Sequence, residues 1–593
     1  MCGFFGAFSA NGNVNNSLKN TTSLSHRGPD SHKKYSDSFF HGEFFRLDII
    51  GDKTADQPMI SHDKNLIMFF NGEIYNYIEL AKENNISSIS GDSRVIVELL
   101  SKKGVEIIKK FNGMFSIVLY NKKKKTLHLI RDRLGTKPLY FTKKNNFIYF
   151  ASEIKALPIT KNIHFKSIKN YLNLGEYPVL DTFFKNIHNV SPSSIIKIKN
   201  NNFEKFKYFD LKTEVLKKQK EVFSQEKFDD LLKNAILIRQ RSDKKINFHL
   251  SGGIDSTALL IYTKDNWSSK YDLNSSSFSY YGYKEDEYKF ISRISKKIKV
   301  RNQKTTLYPK EVPDLAEKLQ YFQDEPYGGL ASIAEFKLNL EEKKNGDVVS
   351  FEGMGGDEIL GGYNSHSLLA LNEMIKNNGS KKIINYLTSY LGIKNSRDRI
   401  YKTKKLINSG FYASTDLSDF KSSDKFKNID LEKTNWYKKI MFFDLINSKI
   451  PRTLRFRDRI SSACSRELRF PFLDHNFLTY ALSAPIEFKY NHGLPKYPLR
   501  EIVKRYFKDD FRFNKRSVSS PQTNWIQGPL KDWAIDNLNS LETKSMIDKK
   551  YISYAKKMIG QKITNSFFIW QLINLNLFFN NTKIENYLSD DKR

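Results

Sequence analysis

One stretch limits the fold of this chain more than any other. The β-type run Lys245 to Leu250 stops at Ser251-Gly252-Gly253-Ile254-Asp255-Ser256, and helix-forming residues, about Thr257 to Tyr262, follow at once. A strand joined to a helix by a glycine-bearing turn predicts a parallel α/β domain, whose ligands sit beyond the carboxyl ends of the strands. Gly252 and Gly253 let the backbone approach an anion, toward which N–H groups of the turn and the helix N-terminus point. Ser251, Ser256 and Thr257 add hydroxyl donors, and Asp255 can hold Mg²⁺ against phosphates. The Gly-Lys-Ser/Thr of a Walker loop is missing, and taken alone the turn reads equally well as a helix start capped by Ser or Asp.

Further β-type runs at Asn274 to Ser279 and Asp347 to Phe351 fit the same sheet, and from about Ser365 the pattern is mostly helical. A chain of 593 residues exceeds one ordinary core, so at least one more large domain is expected. Upstream, short runs rich in Ile, Val, Phe and Tyr recur at Leu66 to Phe70, Phe115 to Tyr120, Leu127 to Ile130, Phe147 to Phe150 and Ser194 to Ile198. One helix is expected at Ser93 to Lys102, and an antiparallel, layered α+β domain accounts for residues 2–210. The polar stretch Leu211 to Glu226 reads as a linker, and a second domain over residues 227–593 opens with the amphipathic segment Phe228 to Arg239.

The net charge of +32 invites a nucleic-acid role, but lysine runs such as Lys122 to Lys125, Lys217-Lys218 and Lys343-Lys344 are dispersed and carry no recognition motif. No nucleic-acid partner is expected. Cys2 and Cys464, the two cysteines, are far apart and point to a reducing compartment, the cytoplasm, rather than a disulfide framework. No apolar run suggests export or a membrane span.

Cys2 itself stands directly behind Met1. Loss of Met1 would place a thiol and an α-amine on one residue, and an amine of pKa about 7.7 to 8.0 can serve as the base for that thiol. An inert cysteine is the alternative, because reactivity depends on environment. Cys464 reads as a small packed residue.

Taken in order, the motifs resemble the glutamine-hydrolysing asparagine synthetase family from Cys2 to about Trp525. The resemblance implies an N-terminal-nucleophile glutaminase of αββα layering, joined to an ATP pyrophosphatase domain with a helical C-terminal part. It implies that Cys2 is the nucleophile, that Arg27 in His26-Arg27-Gly28-Pro29-Asp30 pairs with the glutamine carboxylate, and that Asn71 and the Gly72 N–H form the oxyanion hole. Glu73 would accept from the substrate and Asp92 would hold its α-amine, although Arg94 stands where Glu is usual. Local turns are the competing account: Asn71-Gly72 as a hairpin and residues 27–30 as a surface turn. In the second domain the resemblance implies that Ser251, Gly252, Gly253, Asp255, Ser256 and Gly355 bind ATP, that Asp255 and Asp357 hold Mg²⁺, and that Lys496 stabilises phosphate charge beside Arg500. Acidic motifs recur at Asp286-Glu287 and Asp324-Glu325-Pro326, and a further family string runs from Asp458-Arg459 to Asp474. An internal ammonia tunnel is also implied. Glutamine, ATP and a carboxylate are the expected partners, and a homodimer is compatible with the sequence.

Two departures fall on the acceptor side. Met354 stands where the family carries a glutamate base, and Gly329 where many members carry Asp. A thioether takes no proton at neutral pH, so either neutral ammonia arrives, or Glu352 substitutes from the same face of an extended strand, or the acceptor differs. The acceptor is then aspartate or another carboxylate, such as the sugar acid amidated by synthetase-like enzymes of surface-polysaccharide pathways, which the chain also resembles.

Overall fold

The computed structural model describes residues 1–14, 24–51, 53–87, 90–159, 161–175, 177–179, 181–363, 365–367, 369–370, 373, 436–491, 494–507 and 520–582. Two six-stranded sheets build the N-terminal half. In the first, Gly3–Phe8 lies between Phe40–Arg46 and Phe147–Ala151, antiparallel to both, with Gly3 opposite Phe45 and Phe5 opposite Ala151. In the second, Leu66–Ile74 pairs with Gly113–Asn121, which pairs with Thr126–Arg131.

Strand side chains alternate between faces, so every second residue of Gly3–Phe8 enters the space between the sheets. Phe4 and Phe8 pack there with Phe40, Phe44 and Phe150 of their own sheet and with Phe69, Val118 and Leu129 of the other. Each such buried ring contributes about 1.5–3 kcal/mol. On the far side of the second sheet, helix Asp92–Lys103 lays Val95, Ile96, Leu99 and Leu100 onto Met68, Phe70 and Ile117. On the far side of the first, Phe5, Ala7 and Tyr149 share a core with helix Phe165–Leu174 and with Leu319, Trp570 and Phe578 of the second half. The two halves therefore share apolar core, here and again where Leu47, Ile49 and Leu134 join the core of the second half.

The stretch expected to be a linker is partly a packed helix. Leu211–Lys218 starts at Asp210, whose carboxylate accepts the Thr213 N–H at 2.9 Å, and it buries Leu211 and Val215. Its lysines face outward, and their abundance concealed that short apolar stripe. Helix Gln225–Arg239 follows, capped by Ser224.

The third sheet is parallel, in the order Arg301–Leu307, Asn274–Tyr280, Ile246–His249, Val349–Phe351, Glu467–Arg469. Helix Ile254–Asp265 follows its central strand, starting three residues earlier than the sequence suggested because Ile254-Asp255-Ser256 already forms its first turn. The helical expectation from Ser365 is met by described helices from Trp436–Ile446 to Ser566–Asn581, while residues 374–435 of that stretch lie outside the described residues. Among the described residues no helix is long and apolar enough to cross a membrane.

Candidate active sites

Cys2 is half-buried at the end of the first strand, and its thiol faces the Leu47 carbonyl oxygen at 3.8 Å. Because Gly3 pairs with Phe45, the next register position sets Cys2 opposite Arg46. Burial pushes the thiol pKa up, while the adjacent terminal amine and Arg46 pull it down. Burial also lowers the Met1 amine to about 5. The Met1 side chain reaches Lys137, which itself pairs with Glu467 at 3.6 Å.

Asn71 and Gly72 are not a hairpin turn: they lie within strand Leu66–Ile74, opposite Ser116 and Phe115. Asn71 is buried, and neither atom of its amide has a hydrogen-bond partner among the described residues. A buried amide left with both atoms unpaired costs stability, so Asn71 holds a donor and an acceptor open in this pocket. Gly72 has φ +141°, and a Cβ there would stand 2.0 Å from the Met114 carbonyl oxygen, so only glycine fits.

Next along the strand, Glu73 is buried with Oε2 unpartnered among the described residues. Burial raises its pKa well above the carboxylate range, reinforced by Glu467 and Asp92, and Arg469 offsets this only from 3.6 Å. Burial likewise carries Asp92 to about 7, although its carboxylate accepts the Ile74 N–H at 2.9 Å. Glu467 behaves otherwise: burial works against it, but Lys137 and Arg469 hold its pKa down. Strand Glu467–Arg469 belongs to the second half, so that half supplies charges to the pocket around Glu73 and Asp92.

Arg27 has a different task from the one the family resemblance implied. It is fully buried, and its guanidinium pairs with Glu153 at 2.8 Å and Asp458 at 3.0 Å and donates to Ser462 Oγ at 3.0 Å and the Cys2 carbonyl at 2.9 Å. These partners commit it to the seam between the halves and leave it poorly placed for a substrate carboxylate. Gly28 is tucked so closely beneath that a Cβ would lie 2.3 Å from the Phe45 carbonyl oxygen, which excludes a plain surface turn. Arg459 joins the cluster through Glu153 at 2.9 Å and Asp324 at 3.2 Å, and Glu325 accepts the Phe183 N–H at 2.7 Å. Sequence reasoning missed Arg46, which lowers the thiol pKa while its guanidinium pairs with Asp56 at 2.7 Å and Asp48 at 2.9 Å and donates to the Gly51 carbonyl at 2.9 Å; its one signal was an arginine closing the apolar strand that pairs with Gly3–Phe8.

The second site is a cavity of about 670 Å³ beyond the carboxyl ends of the parallel strands, lined by Ser251 to Ser256, Glu352, Met354, Gly355, Asp357, Lys496 and Arg500. The Ser251 and Ser256 hydroxyls lie 2.8 Å apart, and Ser256 Oγ accepts the Ser251 N–H at 3.2 Å, which closes the loop on itself. Lys496, held in a left-handed backbone at φ +58°, places Nζ 2.5 Å from both an Asp255 and an Asp357 oxygen. Burial works against its charge, yet the two carboxylates win and hold its pKa above the ordinary lysine value. Two carboxylates that already converge on one cation are a donor set that suits Mg²⁺. Glycines make the approach achievable: a Cβ on Gly362 would meet Asp357 and Lys496 at 1.9 Å, and Gly355 adopts φ +104° against Leu473.

On the acceptor side, Glu352 and Met354 both line the cavity, as their spacing along a strand predicts. Burial carries Glu352 to about 7, and Arg457 approaches it at 3.1 Å while also pairing with Glu335. Beside Gly329 the space is filled by Gln522, whose Oε1 accepts the Leu330 N–H at 3.0 Å and would lie 2.3 Å from any added Cβ.

Residues 1–209 match the family model described as a glutamine amidotransferase domain, and residues 227–577 match the model described as asparagine synthase. The chain is 26% identical over 631 residues to a glutamine-hydrolyzing asparagine synthetase of Bacillus subtilis, with 97% of each chain covered. It is 29% identical over 382 residues to a putative glutamine-hydrolyzing asparagine synthetase of Methanocaldococcus jannaschii, covering 59% of this chain and 72% of that one. With the synthase match alone spanning more than half its length and the amidotransferase match preceding it, the chain belongs to the asparagine synthase family of glutamine-hydrolysing, ATP-dependent ligases.

Proposed function

We propose that this enzyme amidates aspartate to asparagine, with nitrogen from glutamine and ATP cleaved to AMP and pyrophosphate. The observation that carries the reading is the convergence of Asp255, Asp357 and Lys496 at the mouth of the Ser251–Ser256 loop. In the first site, removal of Met1 frees the Cys2 amine, which takes the thiol proton. The thiolate attacks the glutamine amide carbon, and the oxyanion is received by the unpaired Asn71 amide and the Gly72 N–H. Glu73 and Asp92 hold the substrate α-ammonium. Ammonia leaves, and water releases glutamate from the thioester.

In the second site the loop N–H groups and Lys496 hold the ATP phosphates, with Asp255 and Asp357 as the Mg²⁺ ligands. Bound there, the ion would neutralise phosphate charge. The aspartate β-carboxylate attacks the α-phosphorus and expels pyrophosphate, because a carboxylate oxygen is otherwise a poor leaving group. Ammonia then displaces AMP. One observation favours a second reading, the same chemistry on a sugar acid: Met354 and the Gln522-filled space beside Gly329 give this pocket a different lining from the family pattern. Purified enzyme incubated with glutamine, ATP and either aspartate or a uronic acid decides between them by pyrophosphate and amide release. Glutamate release without any aspartate-dependent pyrophosphate would remove the first reading.

A further inference from the structure

Of the cavity carboxylates that have no part in the scheme above, Glu352 stands out by its position. Glu352 follows the strand Val349–Phe351, and its N–H donates to the Arg469 carbonyl oxygen at 3.0 Å. The Arg469 guanidinium reaches Glu73 at 3.6 Å and Glu467 at 2.9 Å, in the glutamine pocket. A single residue of the edge strand therefore stands between Glu352 and the site where ammonia is made. Glu352 Oε1 pairs with Arg457, whereas Oε2 is shielded from solvent and has no hydrogen-bond partner among the described residues.

Attack of ammonia on an acyl adenylate leaves a positive nitrogen that must lose a proton. The neighbouring side chain, Met354, cannot accept one. Among the other cavity carboxylates, Asp255 and Asp357 are engaged with Lys496, Glu358 accepts the Tyr363 hydroxyl at 2.6 Å, and Asp286 accepts the Tyr280 N–H at 2.7 Å. Glu287 lies against Gly252 of the phosphate loop, its Oε2 3.0 Å from where a Cβ would stand, and Glu335 lies across Arg457 on helix Leu330–Lys344, away from the strand that carries Arg469.

We propose, resting on the amidation reading above, that Glu352 is the catalytic base of the second half-reaction. As the nitrogen bonds to the acyl carbon, one N–H proton passes to Glu352 Oε2. The acyl C–O bond breaks, and its electron pair leaves on the AMP phosphate. Charged groups around Glu352 are Arg457, Glu335, His249 and Glu342, the last two paired with each other at 3.0 Å. Burial sets the carboxyl near 7, suited to accepting a proton at neutral pH and returning it to solvent.

Full-length Glu352→Gln enzyme tests this with two assays. Aspartate-dependent exchange of labelled pyrophosphate into ATP reports adenylation; amide formation from ammonium chloride reports the second step. We expect exchange within about threefold of wild type and amide formation lowered about 100-fold, with partial rescue by Glu352→Asp. Equal loss in both assays, an unchanged amide rate, or the selective loss appearing in Glu335→Gln instead would overturn the assignment. If wild-type enzyme shows no aspartate-dependent exchange, the acceptor reading fails separately, and difference infrared titration then judges Glu352. A carboxyl band titrating near 7 that vanishes in Glu352→Gln is expected, and one titrating in the ordinary carboxylate range overturns the proposal.

Discussion

Two buried clusters of charge lie close to Cys2, and they are built on opposite plans. Around Arg27, at the seam between the halves, Arg459 and Lys155 complete the neutralisation of Glu153, Asp458 and Asp324. Burial works against Glu153, but Lys155 and Arg459 outweigh it and hold its pKa well below the carboxylate range. In the pocket beside Cys2, which we propose takes glutamine, burial wins at Glu73 and Asp92, and both carboxyls rise. A finished network of ion pairs resists loss of any member, whereas an unfinished one waits for a cation from outside. Every carboxylate in the first cluster has a cation at ion-pair distance, whereas in the second the cations satisfy Glu467 and leave Glu73 and Asp92 raised.

The largest effect tests whether the unfinished pocket is catalytic at all. Cys2→Ala should reduce glutamine-dependent synthesis by about 1000-fold or more while synthesis from added ammonium persists, followed by amide product with each nitrogen source. Loss of both activities would mean that the pocket and the ATP cavity are not separate sites.

Arg27→Met comes next and tests the finished side. Removing one member of a buried ion pair leaves charge uncompensated, at a cost of about 3–5 kcal/mol, visible as a lowered Tm. Glutamine KM in the folded fraction should not change. A raised KM with an undisturbed Tm would return Arg27 to the substrate carboxylate and erase the contrast between the clusters.

Much of this arrangement could be read before the fold was known. Strand–loop–helix order located the cavity beyond the parallel strands, since Ser251 to Ser256 needs only local geometry to form, and helix 93–102 was legible from Val95, Ile96, Leu99 and Leu100. The N-terminal sheets followed from their β-branched and aromatic runs. What stayed hidden was long-range pairing. Nothing local tells that Arg27 meets Asp458, 431 positions away, or that Glu73 shares a pocket with Arg469. The motifs at Asp324-Glu325 and Asp458-Arg459 look chemical in sequence because buried charges are costly to keep, yet their partners make them structural. Helix Leu211–Lys218 is hidden in the sequence for a simpler reason: only Leu211 and Val215 of that helix are buried, too few for a visible period.

Asp92 gives the finest test. Holding an ammonium group requires the ionised carboxylate, so glutamine KM should rise as pH falls through about 7, by at most about tenfold per pH unit, while kcat with saturating glutamine changes less. Asp92→Asn should raise KM by about 10- to 100-fold, the worth of a charged hydrogen bond of about 1.5–3 kcal/mol, and should remove that pH step. Stability without substrate must move the other way. A folded pKa near 7 against an ordinary value of 3.8 means the native state binds the extra proton, so its contribution to stability is fully present below about 4 and is lost as pH rises through about 7. Thermal unfolding across that window should therefore fall less steeply in Asp92→Asn than in wild type. Equal slopes would show that Asp92 is already neutralised within the protein, which would place it with Glu153 on the finished side.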